Sequence, residues 1–504
     1  MSAQTLTPHY SAIPQNSIIP EFAKFKDATS QQIVIARDKV KYVPSSGQSY
    51  TVGGTSGNSN QISWLISDAS RFADLSTATL NFVYKLTRTD TPANQTAHVL
   101  PSDNIISLFS RMQIKIGGVL VEDTVNLNQA FNSRMHCNMN HDYYINAMDI
   151  LCGSYVYNTN YAPYANSLKG LVDRFKSHEL TAYKAVPTGG TVGSATTTRS
   201  FSIPLGFLSG FFQQLKYLPL CLTNSLEIIL YFDSVANSHF SIDGYVASTT
   251  APVIANINYS LSDVGITCDM LEMNASYAQL LKNIAYQDDA GISLPYDTVQ
   301  AFQLNYTANN SATQSNKSLV FNKASPYVRT ILCTKTPNDA TTPANNWVGN
   351  LNHLGVFAFV NSGNQGVRLN CGSIYSPLYG DTAHDAGTFN LLKNGDQMNV
   401  ISGGLQSSAS YSGRQWSIAN GVTGTASDVV IDGELSNFVI GFPLDKTLAN
   451  ECAIDGLDSS ALGSSFSIQI NEAGSLYSGN MILSVFIHFT RILSLRGGVL
   501  SVSG

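Results

Sequence analysis

Residues 226–232 read LEIILYF and residues 483–489 read LSVFIHF. In the first, Leu226, Ile228, Leu230 and Phe232 alternate with Glu227, Ile229 and Tyr231. In the second, Leu483, Val485, Ile487 and Phe489 alternate with Ser484, Phe486 and His488. A period of two sends one apolar set to one face of a pleated strand. Each segment reads as the last strand of a β-sandwich, one per half of the chain, so the sequence predicts two similar sandwiches in tandem.

Length and composition agree with this duplication. The 504 residues exceed the roughly 250–300 that one hydrophobic core organises, and half the chain makes one large all-β domain. Hydrophobic residues reach 43% and aromatics 10%, whereas charged residues are 12% against about 25% in typical soluble domains. A surface so poor in charge and rich in Asn, Ser, Thr and Tyr suits wide polar contacts between subunits, although a neutral extracellular β protein has a similar composition. The net charge of −6 argues against wrapping nucleic acid, which needs clustered Lys and Arg. Only residues 1–50 lean basic, with Lys24, Lys26, Arg37, Lys39 and Lys41 against Glu21, Asp27 and Asp38.

The first 30 residues carry Pro8, Pro14 and Pro20 among polar neighbours and no apolar stretch of a secretory signal. Apolar runs fall short of the roughly 18 residues of a membrane span, so the expectation is a soluble product made inside a cell. Cysteines 137, 152, 221, 268, 333, 371 and 452 are odd in number and scattered, and read as reduced, mostly buried thiols. Asn-x-Ser/Thr sequons at Asn94, Asn258, Asn274, Asn305, Asn309 and Asn316 read as unmodified in that context.

Residues 1–60 read as an arm: proline-punctuated, then a strand carrying Ile33, Ile35, Val40 and Val43, then a flexible Gly/Ser stretch. Ile62, Trp64 and Ile66, then Leu80, Phe82, Tyr84 and Leu86, each mark one face of a strand. Met112, Ile114 and Ile116 lead into Gly117-Gly118, the two-residue turn of a hairpin. Ile145, Met148 and Cys152 share the face of a short helix inserted as a loop. Ile257, Tyr259 and Leu261 open the second half, and a second hairpin is expected across NSGN, residues 361–364. Segments 188–199, 334–348 and 372–425 read as loops, placed outward or against neighbours.

Chemistry is hard to find. There is no Gly-Lys dipeptide for a phosphate loop, no dinucleotide fingerprint after a strand, and no G-x-S-x-G nucleophile turn. His136-Cys137 with His141-Asp142 is the best metal candidate, yet it lacks a partner pair at zinc spacing. His384-Asp385 and Asp455 with Asp458 lack the alternating ligands of a calcium loop. Phe211-Phe212, Tyr143-Tyr144 and the tyrosines of 155–164 could stack on sugars or bases, but read more readily as core or interface. No catalytic, cofactor-binding or metal residue is therefore assigned, and no cofactor.

Six ordered blocks resemble one known family. QISWLISDASRFADLSTATLNFVYKLTR, NIISLFSRMQIKIGGVLVEDT, DYYINAMDIL, IPLGFLSGFFQQLKYLPLCLTNSLEIILYF, INYSLSDVGITCDMLEM and NKSLVFNKASPYVRTILCT resemble successive segments of the double jelly-roll major capsid proteins of icosahedral DNA viruses. The likeness is most to those of polinton-like viruses, virophages and their giant-virus relatives, and spans about residues 60–493. Gly117-Gly118 stands where relatives often carry Asn-Gly, and Ala73 where they carry a larger apolar residue.

The resemblance implies an all-β fold of two tandem eight-stranded jelly-roll sandwiches with short helical insertions and long loops. Expected boundaries are 1–60 for the arm, 61–250 and 251–493 for the two jelly rolls, and 494–504 for a C-terminal tail. It further implies a structural protein and not an enzyme. The implied assembly is a homotrimeric pseudo-hexagonal capsomer, tiling the shell of a double-stranded DNA virus against neighbouring capsomers and minor capsid, penton and cement proteins. Whether a lipid layer lies beneath is left open, and sequence-specific nucleic-acid binding is not expected. The location implied is the virion shell, built in the infected host cell. A tandem jelly-roll lectin or adhesin is the alternative; an all-β glycoside hydrolase and a minor capsid or penton protein are further rivals.

Overall fold

The structure, a computed structural model, describes residues 33–53, 59–88, 97–101, 104–138, 149–152, 195–215, 217–243, 257–286, 291–309, 311, 313, 315–337, 359–360, 364–372, 374–376, 435–436, 440–444, 455–463, 465–472 and 480–504. The first half supplies β1 (Val34–Tyr42), β2 (Tyr50–Gly53), β3 (Gln61–Ile66), β4 (Phe72–Arg88), β5 (Ala97–Pro101), β6 (Phe109–Ile116), β7 (Val119–Val125), β8 (Ala195–Pro204), β9 (Tyr217–Pro219), β10 (Leu226–Phe232), β11 (His239–Asp243) and β12 (Ile257–Met273). The second supplies β13 (Ile292–Thr307), β14 (Ser315–Asn322), β15 (Val328–Pro337), β16 (Phe359–Val360), β17 (Asn364–Cys371), β18 (Ile374–Ser376), β19 (Leu435–Ser436), β20 (Ile440–Pro443), β21 (Ser465–Glu472), β22 (Asn480–Arg496) and β23 (Val499–Ser503).

Each half builds a large and a small sheet around a shared core. In the first, β1-β12-β4-β8, with β2 on β12 and β9 on β4, accompanies β3-β10-β6-β7. In the second, β13-β22-β15-β16-β19, with β20 on β15 and β23 on β22, accompanies β14-β21-β17-β18. The small sheets repeat strand for strand. Ile66 faces Leu226, which faces Ile116 just before the turn Gly117-Gly118. Phe321 faces Phe466, which faces Cys371 just before the turn at Gly372. Gly117 and Gly118 take φ of 54° and 83°, and Gly372 takes 59°, as tight turns between twisted strands require.

The duplication read from LEIILYF and LSVFIHF holds, but the two segments are not counterparts. The first is β10, second strand of a small sheet, whereas the second lies in β22, inside a large sheet. Their true counterparts are β21 and β12. Alternation reports which face of a strand is apolar and nothing about its neighbours.

Four other expectations change. The boundary after residue 250 does not divide the sheets, because β12 pairs with β4 along most of its length. The arm is part of the first sandwich from Val34 onward, since β1 and β2 both pair with β12; residues 1–32 lie outside the described residues. Residues 361–363 of the expected hairpin lie outside the described residues; among the described residues β16 and β17 belong to different sheets, and β17 pairs instead with β18. The expected tail 494–504 is the end of β22 and all of β23, which pair as a hairpin.

The hydrophobic faces read from the sequence are buried. Ile62, Trp64, Leu80, Tyr84 and Leu86 are fully shielded in the first core, and Val485, Ile487 and Phe489 in the second. The buried hydroxyls of Tyr84 and Tyr259 find partners, as expected when an amphipathic ring enters a core: Tyr84 Oη lies 2.8 Å from His239 Nε2, and Tyr259 Oη donates to Asp233 O at 2.7 Å. Phe211 and Phe212 are core, edge to face at 5.4 Å between ring centroids. Cys152, Cys268, Cys333 and Cys371 are buried free thiols and Cys221 is half-buried.

Candidate functional site: the seam between the two sandwiches

Polar side chains converge where the first sandwich lies on the large sheet of the second. Two elements of the first sandwich reach across. The helix Leu127–Asn138 follows β7 after Asn126, whose φ of 51° turns the chain. Asn128 ties it down by donating to Ser107 O and to Asp233 Oδ2 at 2.9 Å. One residue on, Gln129 accepts from Ser484 Oγ of β22 at 3.0 Å, and Ala130 joins the core of the second sandwich.

The second element is the short helix Gly210–Gln214. Ser209 caps it, its hydroxyl accepting from Phe211 N at 3.0 Å. Gly210 permits close approach, because a Cβ there would sit 2.3 Å from Asp297 O of β13. Phe211 meets Tyr296 edge to face at 5.5 Å, and Tyr296 Oη donates to Val121 O at 2.7 Å. The second sandwich's Tyr296 thus sits in the first sandwich's core.

Asp297 is the hub. Its carboxylate accepts from Gln214 Nε2 at 2.7 Å, Thr490 Oγ1 at 2.7 Å and Arg329 Nη1 at 3.1 Å, and its backbone N donates to Gln214 Oε1 at 2.6 Å. Glu122 of β7 is fully buried and accepts from Thr124 Oγ1 at 3.0 Å and from the Ser209 hydroxyl. Burial raises the pKa of Glu122, opposed by hydrogen bonds from Ser209, Thr124 and Thr298 and by the charge of Arg491. Arg491 also donates to Val121 O at 2.9 Å. Burial, with the charges of Arg134 and Arg329 behind it, pushes His488 down to about 3, so it is neutral at ordinary pH.

This arrangement holds two sandwiches together; it is not set up to react. The carboxylates of Asp297 and Glu122 are engaged by several donors each, and those donors are fixed by strands and caps from both halves. Sequence reading missed the seam entirely. The available signal was charge in apolar company: Glu122 within VLVEDTV, and His488 and Arg491 within the apolar run 481–493.

The sequence-level candidates do not assemble a site. His136 and Cys137 ride on the helix Leu127–Asn138, while His141, Asp142, His384 and Asp385 lie outside the described residues, as do Tyr143, Tyr144 and the tyrosines of 155–164. Asp455 and Asp458 accept backbone hydrogen bonds from Gly456 and Ala461, so they brace turns. Among the described residues no group of three His, Cys, Asp or Glu could hold a metal ion. None of the described helices is long and apolar enough to cross a membrane.

Two stacked-sheet sandwiches in one chain, joined by a buried seam, define the double jelly-roll fold. No protein-family model matches the chain, and no curated protein matches it. Solved structures do. A chain of the Sputnik virophage structure superposes with a TM-score of 0.58 at 13% identity, covering 95% of this chain and 90% of that one. The Faustovirus major capsid protein gives 0.53 at 10% identity over 94% and 92%, and VP54 of PBCV-1 gives 0.52 at 11% identity over 95% and 99%. At these identities the likeness is one of fold.

Proposed function

We propose that this chain is the major capsid protein of an icosahedral double-stranded DNA virus, with three copies forming a pseudo-hexagonal capsomer that tiles the shell. One observation carries the reading: a single chain holds two sandwiches with the same small-sheet order, locked side by side by a buried seam. Three such pairs supply six similar sandwiches, the outline a hexagonal tile needs. Coverage of nine-tenths or more of both chains against the Faustovirus and PBCV-1 capsid proteins supports it. In this reading residues 34–273 form the first jelly roll and 291–503 the second, a division supported by the pairing of β12 with β4 and of β13 with β22.

The role is mechanical and needs no catalytic residue or cofactor. The protein works in the virion, contacting neighbouring capsomers and minor capsid, penton and cement proteins after assembly in the host cell. Low charge serves this, since wide uncharged contacts avoid the cost of desolvating ions, and weak contacts repeated many times close a stable shell. The test is the solution mass by light scattering, with negative-stain images of the same peak. Three copies of 54.3 kDa give about 163 kDa and a hexagonal outline. A stable monomer that never assembles overturns the proposal and redirects attention to glycan binding.

A further inference from the structure

We infer that the seam binds a small monovalent anion of the halide class, held by Arg134 of the helix Leu127–Asn138, His488 of β22 and Thr330 of β15. The anion is then a third partner to the two sandwiches of one chain, whatever the number of copies that associate.

The site begins with two polar atoms that the fold buries and leaves unbonded. Thr330 and His488 are cross-strand partners, so their side chains rise side by side from the face of the second large sheet that the first sandwich covers. Thr330 is 0% and His488 8% exposed, yet Thr330 Oγ1 and His488 Nε2 have no hydrogen-bond partner among the described residues. Native folds rarely leave such groups dry, because each then loses its bonds to water for nothing. A threonine hydroxyl and a neutral imidazole can each donate one hydrogen bond. The pair therefore offers two neighbouring donors to whatever fits between the sheet and the helix above it.

Charge decides what fits. Ala130 packs in the second core, and Arg134 lies one turn further along the same stripe of the helix. Arg134 is half-buried, and the partner it has, Gln213 Oε1 at 3.4 Å, is neutral. Below it a β-bulge between Val328 and Thr330 turns the extra residue, Arg329, to Asp297. The charges of Arg134 and Arg329 both act on His488 and, with its burial, keep it neutral. Across the seam Arg134, Arg329 and Arg491 meet the carboxylates of Glu122 and Asp297, while Asp123 is held by Arg111 and Lys323 adds a cation beside Arg491. Burial also favours the uncharged form of Glu122. The surplus is positive: a cation is repelled, water leaves the surplus unanswered, and an anion answers both the charge and the orphaned donors. Three donor groups suit a monatomic ion, whereas a tetrahedral oxyanion would keep buried oxygens unbonded.

The test follows thermal unfolding of the full-length protein in sodium bromide against sodium gluconate at equal ionic strength. Wild type is compared with Arg134→Gln, Thr330→Val and Thr334→Val. Thr334 Oγ1 is the control, buried and unbonded like Thr330 Oγ1 but roughly 13 Å further along β15. The inference expects the melting temperature of wild type and T334V to rise about 1–3 °C for each tenfold increase in bromide, and R134Q and T330V to lose that rise. In crystals grown with bromide, an anomalous peak is expected between Arg134, His488 and Thr330. Equal bromide dependence in all four proteins overturns the inference, and so does water without anomalous signal at that position. A peak without the rise marks an adventitious ion only and overturns it too. Should R134Q misfold, T330V against T334V carries the comparison.

Discussion

β12 and β22 hold the same place in the two sandwiches and are buried in different ways. Every residue of β22 from Met481 to Thr490 is buried, whereas on its outward side β12 leaves Asn258, Ser260 and Thr267 only half-buried and Ser262 exposed. The inward faces do the same work in both. The difference lies on the outside, where the first sandwich covers one large sheet and nothing within the described chain covers the other. A strand covered on one side alternates; a strand covered on both becomes nearly continuous in apolar residues. Phe486 and Ile482 are therefore as much interface as sheet.

The sharpest way to break this comparison is to truncate the covered face. Phe486→Ala empties a fully buried site in the second core cluster and is expected to cost about 3–5 kcal/mol in denaturant unfolding. Asn81→Ala, on the bare face, should stay within about 0.5 kcal/mol. Equal effects would show that the seam contributes little to the stability of the second sandwich. Next is the hub. Asp297→Ala strands Gln214, Thr490 and Arg329 and is expected to cost about 1.5–3 kcal/mol. Hydrogen exchange then rises in both β13 and Gly210–Gln214, and a rise confined to one side would mean the two halves are not coupled through Asp297.

A pH profile sharpens the contrast further. Burial, helped by the charge of Arg491, pushes Lys323 down to about 8, where its ammonium lies 3.7 Å from the centre of the Phe489 ring. The unfolded chain keeps this proton up to the ordinary lysine value of 10.5, so between pH 8 and 10.5 it binds more protons than the folded chain. Stability contributed by this group therefore rises with pH across that window. Lys323→Met is expected to remove that rise, and a profile unchanged by the substitution rules out Lys323 as its source. The smallest effects belong to Leu65 and Val320, which sit at matching positions on β3 and β14 and are 58% and 56% exposed. Leu65→Ser and Val320→Ser should each change unfolding free energy by less than about 0.5 kcal/mol in the isolated subunit.

Much of the fold was legible because β structure writes itself locally. Ile62, Trp64 and Ile66 announced β3, and Gly117-Gly118 announced the turn between β6 and β7. The helix Ala275–Tyr286 went unread, although Leu281 and Ala285 lie one turn apart and are both buried. The alternation of β12, Ile257, Tyr259 and Leu261, suits any half-buried strand and does not tell that its neighbours are β1 and β4. The seam was illegible for a related reason. Glu122, Ser209, Asp297 and Arg491 are scattered over the chain, and no local pattern ties a carboxylate on one strand to the serine that caps a helix 87 positions away.

By itself, then, the sequence determined the period of each strand, the turns that demand glycine and the side chains that enter a core. Those properties depend on residues two or three positions apart, within reach of backbone sterics and the hydrophobic pattern. Only the tertiary structure decided which strands are neighbours, that β12 closes the first sandwich, and that one large sheet is sealed while its twin faces out. Such choices are made between segments far apart in the chain, where many pairings satisfy the same alternation and packing selects among them.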